Sequence, residues 1–387
     1  MQVQTMVSNW LRRDCPSMHR ARIKAFSQTV ATAAKHRVLN LTELGRERDS
    51  RAKEKHSIKQ VDRLLGNTHL HGERLHLYQR LAFFAIGHQP RPYLLLDWSG
   101  LPSGDYVLRA ALSFHGRAFT VFEAVYSQKI MEHAATLNAF LTDLATVLPT
   151  GCTPTLVMDA GFRNHWLKAI SARGWHWLVR VRHNTQCCLE NTENWRDCKT
   201  LHAMASARPH RVGAAQLAKT NPLPCTLILY KSPKLRGAQD RKDSSASRTT
   251  AVIKARKSAL EPWLLATSLG DHSAQDIVNA YRQRMHIEES FRDTKARNGW
   301  RMEEMRSRAI ERVQILLLIA AYALALLSLI GRYAEQLKYH TQFQANTVRK
   351  KRVLSLPRLG HCLLRRKIPL PDFNLGGSTT LDSMVFG

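Results

Sequence analysis

Acidic residues are scarce in this chain. Thirty Asp and Glu stand against 58 Lys and Arg in 387 residues, a formal net charge of +28. So large an excess suits a polyanionic partner and says little about fold. Cysteines are few: Cys15, Cys152, Cys187, Cys188, Cys198, Cys225 and Cys362. Their number is odd and no C-x-x-C occurs, which argues against a disulfide framework and against a structural zinc site. Reduced thiols point to the cytosol. His69-Leu-His71 has no partner ligands nearby and reads as an exposed helix start. Neither G-x-x-x-x-G-K-[ST] nor G-x-G-x-x-G is present, so nucleotide hydrolysis has no visible cradle. Any phosphoryl transfer must draw on a phosphodiester itself. The start of the chain holds Arg12, Arg13 and Asp14 but no apolar signal segment. Only one hydrophobic run is long, Val313–Ile330. It is Ala-rich and contains Gln314 and Ser328, and it reads as a central buried helix rather than a membrane span.

The basic residues recur along the whole length. Residues 1–85 carry sixteen Lys and Arg against seven Asp and Glu, 231–257 nine against two, and 338–367 nine against none. A large anion touched by several domains, such as duplex DNA, accounts for that distribution. Residues 1–90 read as all-helical. Ala21–His36 is amphipathic, and Asn40 or Thr42 caps a short helix ending at Arg48. Lys53–Leu65 sets Lys55, Lys59 and Arg63 beside Ile58, Val61, Leu64 and Leu65, ends at Gly66-Asn67, and is followed by a helix from about Gly72 to Ile86. A short helix, a basic connector and a basic helix have the outline of a helix-turn-helix DNA reader, although any small basic bundle would look similar.

An α/β segment begins after Pro90. Tyr93–Leu96 is a strand leading into a turn at Asp97-Trp-Ser-Gly100. Tyr106–His115 and Ala118–Tyr126 form a hairpin around Gly116. Met131–Leu148 is a helix, Thr155–Met158 a strand, 164–173 a helix and Trp175–Arg182 a strand. Residues 185–273 have a different character and read as an inserted, mostly β domain with strands Thr226–Tyr230 and Trp263–Thr267 and a basic loop, Lys231–Lys257. Residues 274–330 return to helix, and 331–387 form a helical C-terminal part whose last stretch, after about Lys367, loses helical period.

Two carboxylates follow buried strands: Asp97 after Leu-Leu-Leu and Asp159 after Leu-Val-Met. An acid there is costly unless it is paired or binds a cation, and open α/β sheets place their sites at such strand ends. Asp159 could instead cap a helix. A third carboxylate lies in Tyr281-Arg-Gln-Arg-Met-His-Ile-Glu288-Glu-Ser-Phe-Arg-Asp-Thr-Lys295, which has no Gly or Pro and reads as one helix of about four turns. On that helix Tyr281, Arg284, Glu288, Arg292 and Lys295 share a stripe, while Glu289 points about 100° away. By itself this is a salt-bridged surface face. With Asp97 and Asp159 upstream, it becomes a metal-binding acid among phosphate-binding cations. Trp263 suits either a stacking platform for an unstacked base or the core of its strand.

Strand-Asp97, strand-Asp159 and helix-Glu288, with Tyr281-x-x-Arg284-x-x-x-Glu288-x-x-x-x-x-x-Lys295, resemble the DDE transposases of bacterial insertion sequences. The subgroup is the IS-four family of cut-and-paste elements with the Y-R-E-K signature, and the transposon Tn-ten type is the most similar. The resemblance covers roughly residues 1–360. It implies an α/β, ribonuclease-H-like catalytic core with an inserted mostly-β domain, an N-terminal helical domain that reads transposon ends, and a helical C-terminal part. It implies two Mg²⁺ held by Asp97, Asp159 and Glu288, with Mn²⁺ as a substitute, and DNA excised through a hairpin and joined to target DNA by a homodimer. Tyr281, Arg284 and Lys295 would grip the transposon end, with Trp263 as the platform for a flipped base and Met285 as a wedge. The non-helical end after Lys367 departs from the family and suggests truncation, which bears on dimerisation. Two other readings are a silent relic that only binds DNA and a ribonuclease-H-like nuclease without strand transfer.

Overall fold

The structure, a computed structural model, describes residues 2–182, 185–190, 192–232, 261–296, 299–345, 347–348 and 351–370. The chain forms two compact units, one from Met1–Cys152 with Met285–Gly387 and one from Thr153–Arg284.

The first unit opens with helices Gln2–Asp14, Arg20–His36, Leu41–Arg46, Glu54–Leu65 and Thr68–Ile86. Asparagine side chains cap two of these starts. Asn40 accepts the Glu43 N–H at 2.8 Å and Asn67 accepts the Leu70 N–H at 2.9 Å. Asn67 therefore starts the fifth helix four residues earlier than its Gly72 suggests, because a capping side chain outweighs one poor helix former. The third and fourth helices pack closely enough that a Cβ on Gly45 would stand 2.5 Å from the Ile58 Cα.

Strands β1 (Tyr93–Gly100), β2 (Tyr106–Phe114) and β3 (Arg117–Tyr126) follow as an antiparallel meander in the order β3-β2-β1. His115 (φ 47°) and Gly116 (φ 83°) make the two-residue turn between β2 and β3. Two positive φ values match the right-handed twist of the flanking strands. The segment Asp97–Gly100 is not the expected turn. It continues β1 in register with β2, pairing Asp97 with Arg109 and Gly100 with Tyr106. Unbroken ladder pairing overrides the local turn tendency of Ser-Gly, so Asp97 sits inside a strand rather than at its end.

Helix Ile310–Gln336 is the centre of this unit. It packs against Arg20–His36, Thr68–Ile86, β3 and Leu356–Arg365. It is long and apolar enough to cross a membrane, yet 89% of its most apolar window is buried. Trp10 and Phe26 pack on Tyr322, whose hydroxyl donates to the Leu77 carbonyl at 2.9 Å. The burial and this anchoring make it a core helix.

His361 lies on the helix Leu356–Arg365, is 8% exposed, and has Nε2 3.1 Å from the Lys35 carbonyl. Burial, with the guanidinium of Arg37 next in importance, pushes its pKa from 6.5 to about 4. Below pH 6.5 the unfolded chain takes up a proton that the folded chain refuses. Stability from this group is therefore complete above about pH 6.5 and falls as the pH drops towards 4, by about 3 kcal/mol at most. Urea unfolding at pH 7 and pH 4.5 should show this loss in the native chain, and His361→Gln should flatten that part of the dependence.

The second unit is a sheet in the order β4-β5-β10-β9-β8-β6-β7. Strand β4 (Thr155–Met158) and β5 (His176–Val181) are parallel and joined by helix Asn164–Ser171, since parallel neighbours need a crossover connection. Antiparallel strands β10 (Trp263–Thr267), β9 (Leu223–Tyr230), β8 (His210–Leu217), β6 (Gln186–Leu189) and β7 (Arg196–Asp197) extend the sheet. β10 has its expected bounds, whereas β9 begins at Leu223, three residues early, because Leu223–Cys225 ladder with β8. The basic loop lies outside the described residues from 233 to 260, and so does the chain end from 371.

Candidate active site

The expected single helix from Tyr281 to Lys295 is two helices, Ala274–Arg282 and Met285–Lys295. Gln283 N–H bonds the Ala280 carbonyl and Arg284 N–H the Tyr281 carbonyl, a tightened i to i−3 closure that ends the first helix. Lack of Gly and Pro permits a long helix without compelling one. Tyr281 and Arg284 thus belong to the second unit, while Glu288, Arg292 and Lys295 belong to the first.

In the first unit, helix Met285–Lys295 lies on the β1–β3 meander. Three side chains one or two turns apart fasten it to the β2–β3 hairpin. His286 Nδ1 is 2.8 Å from the Ser113 hydroxyl, the Ser290 hydroxyl accepts the Ala118 N–H at 2.8 Å, and Asp293 accepts Arg117 Nε at 2.7 Å. With that face occupied, Glu288 in the first turn and Lys295 in the last are left half-buried. Asp97 is half-buried on β1, where one carboxylate oxygen accepts the Trp98 N–H at 2.9 Å. Burial lowers the pKa of Lys295, and the nearby charges of Glu303 and Asp97 oppose the shift while Arg109 adds to it. Asp97 and Lys295 therefore lie within electrostatic reach. Arg292 is exposed and its guanidinium holds both Glu289 oxygens, at 2.8 and 3.0 Å. Met285 is 46% exposed.

In the second unit, Asp159 follows β4 directly, and its carboxylate accepts the Gly161 N–H at 2.8 Å. It is not a helix cap, since the next helix begins at Asn164 after Arg163. Tyr281 is buried, and burial raises its pKa to about 12 against the pull of Arg284 and Arg180, with Asp159 adding to the rise. Its phenol is consequently a neutral hydrogen-bonding group at physiological pH. Trp263 stands edge-on to Tyr230 at 5.6 Å and to Tyr281 at 5.1 Å. Arg282 lies over the Tyr230 ring and donates to its hydroxyl at 2.6 Å. The half-buried indole is thus held in an aromatic cluster.

Among the described residues no three His, Cys, Asp or Glu side chains gather as a metal-holding group. Asp97 and Glu288 fall in the first unit and Asp159 in the second. Lys55, Lys59 and Arg63 are all exposed on helix Glu54–Leu65, at the i, i+4, i+8 spacing that places them on one face.

A transposase DDE domain family model matches residues 120–326, just over half of the chain. The chain belongs to the DDE transposases. The match takes in Asp159 and Glu288 of this transposase and begins after Asp97. No curated protein matches the chain. Among solved structures it is similar to a piggyBac transposase in a synaptic complex with hairpin DNA, at 12% identity and a TM-score of 0.38, covering 97% of this chain and 80% of that one.

Two charged residues of the transposase escaped the sequence reading. Arg109 and Glu123 are each 1% exposed and form an ion pair at 2.7 Å. The signal was available. Arg109 is the one charged residue of its strand and Glu123 the one acid of its strand, and each lies seven residues from the turn glycine Gly116. Buried charges in strands facing each other across a hairpin imply a pair.

Proposed function

We propose that this transposase excises an insertion sequence of the IS-four type by cut and paste and joins it to new DNA. The observation that carries the reading is the family match, which contains Asp159 and Glu288 with the Tyr281, Arg284, Glu288 and Lys295 spacing of the Y-R-E-K signature inside it. The fold we assign is a ribonuclease-H-like core with an inserted β domain, and the N-terminal helices form the end-reading domain.

Carboxylate oxygens are hard ligands suited to Mg²⁺, and neither His nor Cys is needed. Asp97, Asp159 and Glu288 would hold two such ions. Bound there, the ions supply an activated water and charge neutralisation at the leaving oxygen. The remaining residues bind and orient DNA. Lys295 and Arg284 would take phosphates, Arg292 a phosphate in place of Glu289, and the neutral Tyr281 phenol a phosphate oxygen. Lys55, Lys59 and Arg63 would follow the duplex of the transposon end. Trp263 would receive an unstacked base if the end opens through a hairpin, with the exposed Met285 as wedge. Two copies would pair two ends in a bacterial cytosol.

The test uses the full chain, DNA bearing the inverted repeats that flank its gene, and a target plasmid in Mg²⁺. The expected product is end DNA joined to plasmid. A gel shift without nicking in Mg²⁺ or Mn²⁺ would leave a DNA-binding protein, and nicking without joining would leave a nuclease.

A further inference from the structure

Three charged residues occupy one row of the meander. Asp97 on β1 stands opposite Arg109 on β2, and Arg109 stands opposite Glu123 on β3. Residues directly opposite in antiparallel strands share a face of the sheet. Within the row the arginine is bound on one side. Its Nε donates to Glu123 Oε2 at 2.7 Å, and the other Glu123 oxygen is 3.3 Å from the Tyr78 hydroxyl. The Phe291 ring, one turn from Glu288 on the same helix, covers the guanidinium at 4.3 Å. Arg109 Nη1 is buried and makes no hydrogen bond.

Stability alone does not account for this arrangement. Replacing a buried ion pair with packed apolar residues is often neutral or stabilising. What the pair does is direct a buried positive charge. Without Glu123, a guanidinium with a spare donor faces one carboxylate across the strand pair, that of Asp97. A charge-assisted bond to arginine competes with a cation for the same oxygens. We propose that Glu123 is a positioning residue: by holding the Arg109 guanidinium it stops that charge from competing with a divalent cation for the Asp97 oxygens. The inference rests on the reading of Asp97 as a metal ligand given above.

The experiment is Mn²⁺ titration of the full-length protein, followed by electron paramagnetic resonance. Glu123→Gln keeps one acceptor oxygen for Arg109 and turns its amide N–H to the Tyr78 hydroxyl oxygen, which can accept, so it is expected to fold, with a melting curve like the native one. Its Mn²⁺ affinity should fall about tenfold, the size of one charge-assisted hydrogen bond. Removing the arginine as well, in Arg109→Met with Glu123→Met, should restore affinity to within about twofold. Arg109→Gln with Glu123→Gln offers the same rescue with polar groups at both positions, should the apolar pair fail to fold. A structural role alone predicts no rescue. Native-like titration by Glu123→Gln, or double variants as weak as the single, would overturn the proposal while Asp97→Asn still loses the ion. Native-like titration by Asp97→Asn would instead overturn the ligand reading beneath it.

Discussion

Asp97→Asn, Asp159→Asn and Glu288→Gln should each lower cleavage of transposon-end DNA by about a thousandfold in Mg²⁺, while binding of the same DNA stays within about threefold. Each substitution keeps the size and hydrogen-bonding shape of the side chain and removes one negative charge and one hard oxygen ligand. In Asp97→Asn the amide oxygen could still accept the Trp98 N–H that Asp97 takes at 2.9 Å, so the strand should not move. Losing the charge that fixes a catalytic cation removes several kcal/mol of transition-state stabilisation, and about 4 kcal/mol is a thousandfold. Glu289→Gln is the informative control. Glu289 is the next residue and carries the same carboxylate, which Arg292 holds at 2.8 and 3.0 Å. It should retain cleavage within a few-fold. Single-turnover nicking and gel shifts on one DNA preparation measure both quantities. Equal losses for Glu288→Gln and Glu289→Gln would assign the effect to local charge and remove Glu288 from its role.

The parts of the fold that were legible are those written in short-range chemistry. The apolar runs of Tyr106–Phe114 and Arg117–Tyr126 about Gly116, the apolar Thr155–Met158, and Trp263–Thr267 follow from short apolar stretches, in the hairpin joined across a turn glycine. Asp97 and Asp159, two of the acids proposed for the site, stand out because a carboxylate beside an apolar strand is conspicuous. What escaped depends on partners distant in the chain. Nothing local says that β1 continues through Asp97 to Gly100; its ladder with Tyr106–Arg109 does. Nothing local divides Tyr281 from Glu288, since the break is a tightening of backbone bonds at Gln283 and Arg284 and not a breaker residue. The stripe geometry drawn for a continuous helix therefore holds from Glu288 to Lys295 and not across the break. Nothing local marks His286, Ser290 and Asp293, which are the clamps that seat the helix on β2 and β3.

Strand β3, on which that helix is seated, also packs against the core helix Ile310–Gln336, and the packing of that core helix makes two glycines sensitive. A Cβ on Gly331 would overlap the carbonyl oxygen of Leu356, and a Cβ on Gly360 would overlap the carbonyl oxygen of Leu327. Both obstacles are backbone atoms of the facing helix, so no rotamer change relieves them, and the helix Leu356–Arg365 would have to move away bodily. Leu359 and Leu363, both fully buried, would be drawn out with it. Gly360→Leu should therefore cost about 3 kcal/mol or more by overpacking, and Gly331→Ala about 1–3 kcal/mol, even after the gain of up to about 1 kcal/mol that Gly→Ala gives inside a helix. Gly72 is exposed on helix Thr68–Ile86, and a Cβ there would meet nothing within 4 Å. It isolates the propensity gain, so Gly72→Ala should be neutral or stabilise by up to about 1 kcal/mol. Urea unfolding of the three variants decides the matter. If Gly360→Leu and Gly72→Ala shift the midpoint alike, the close approach of the two helices does not hold the core together, because added side-chain carbon would then cost nothing where backbone stands in its way.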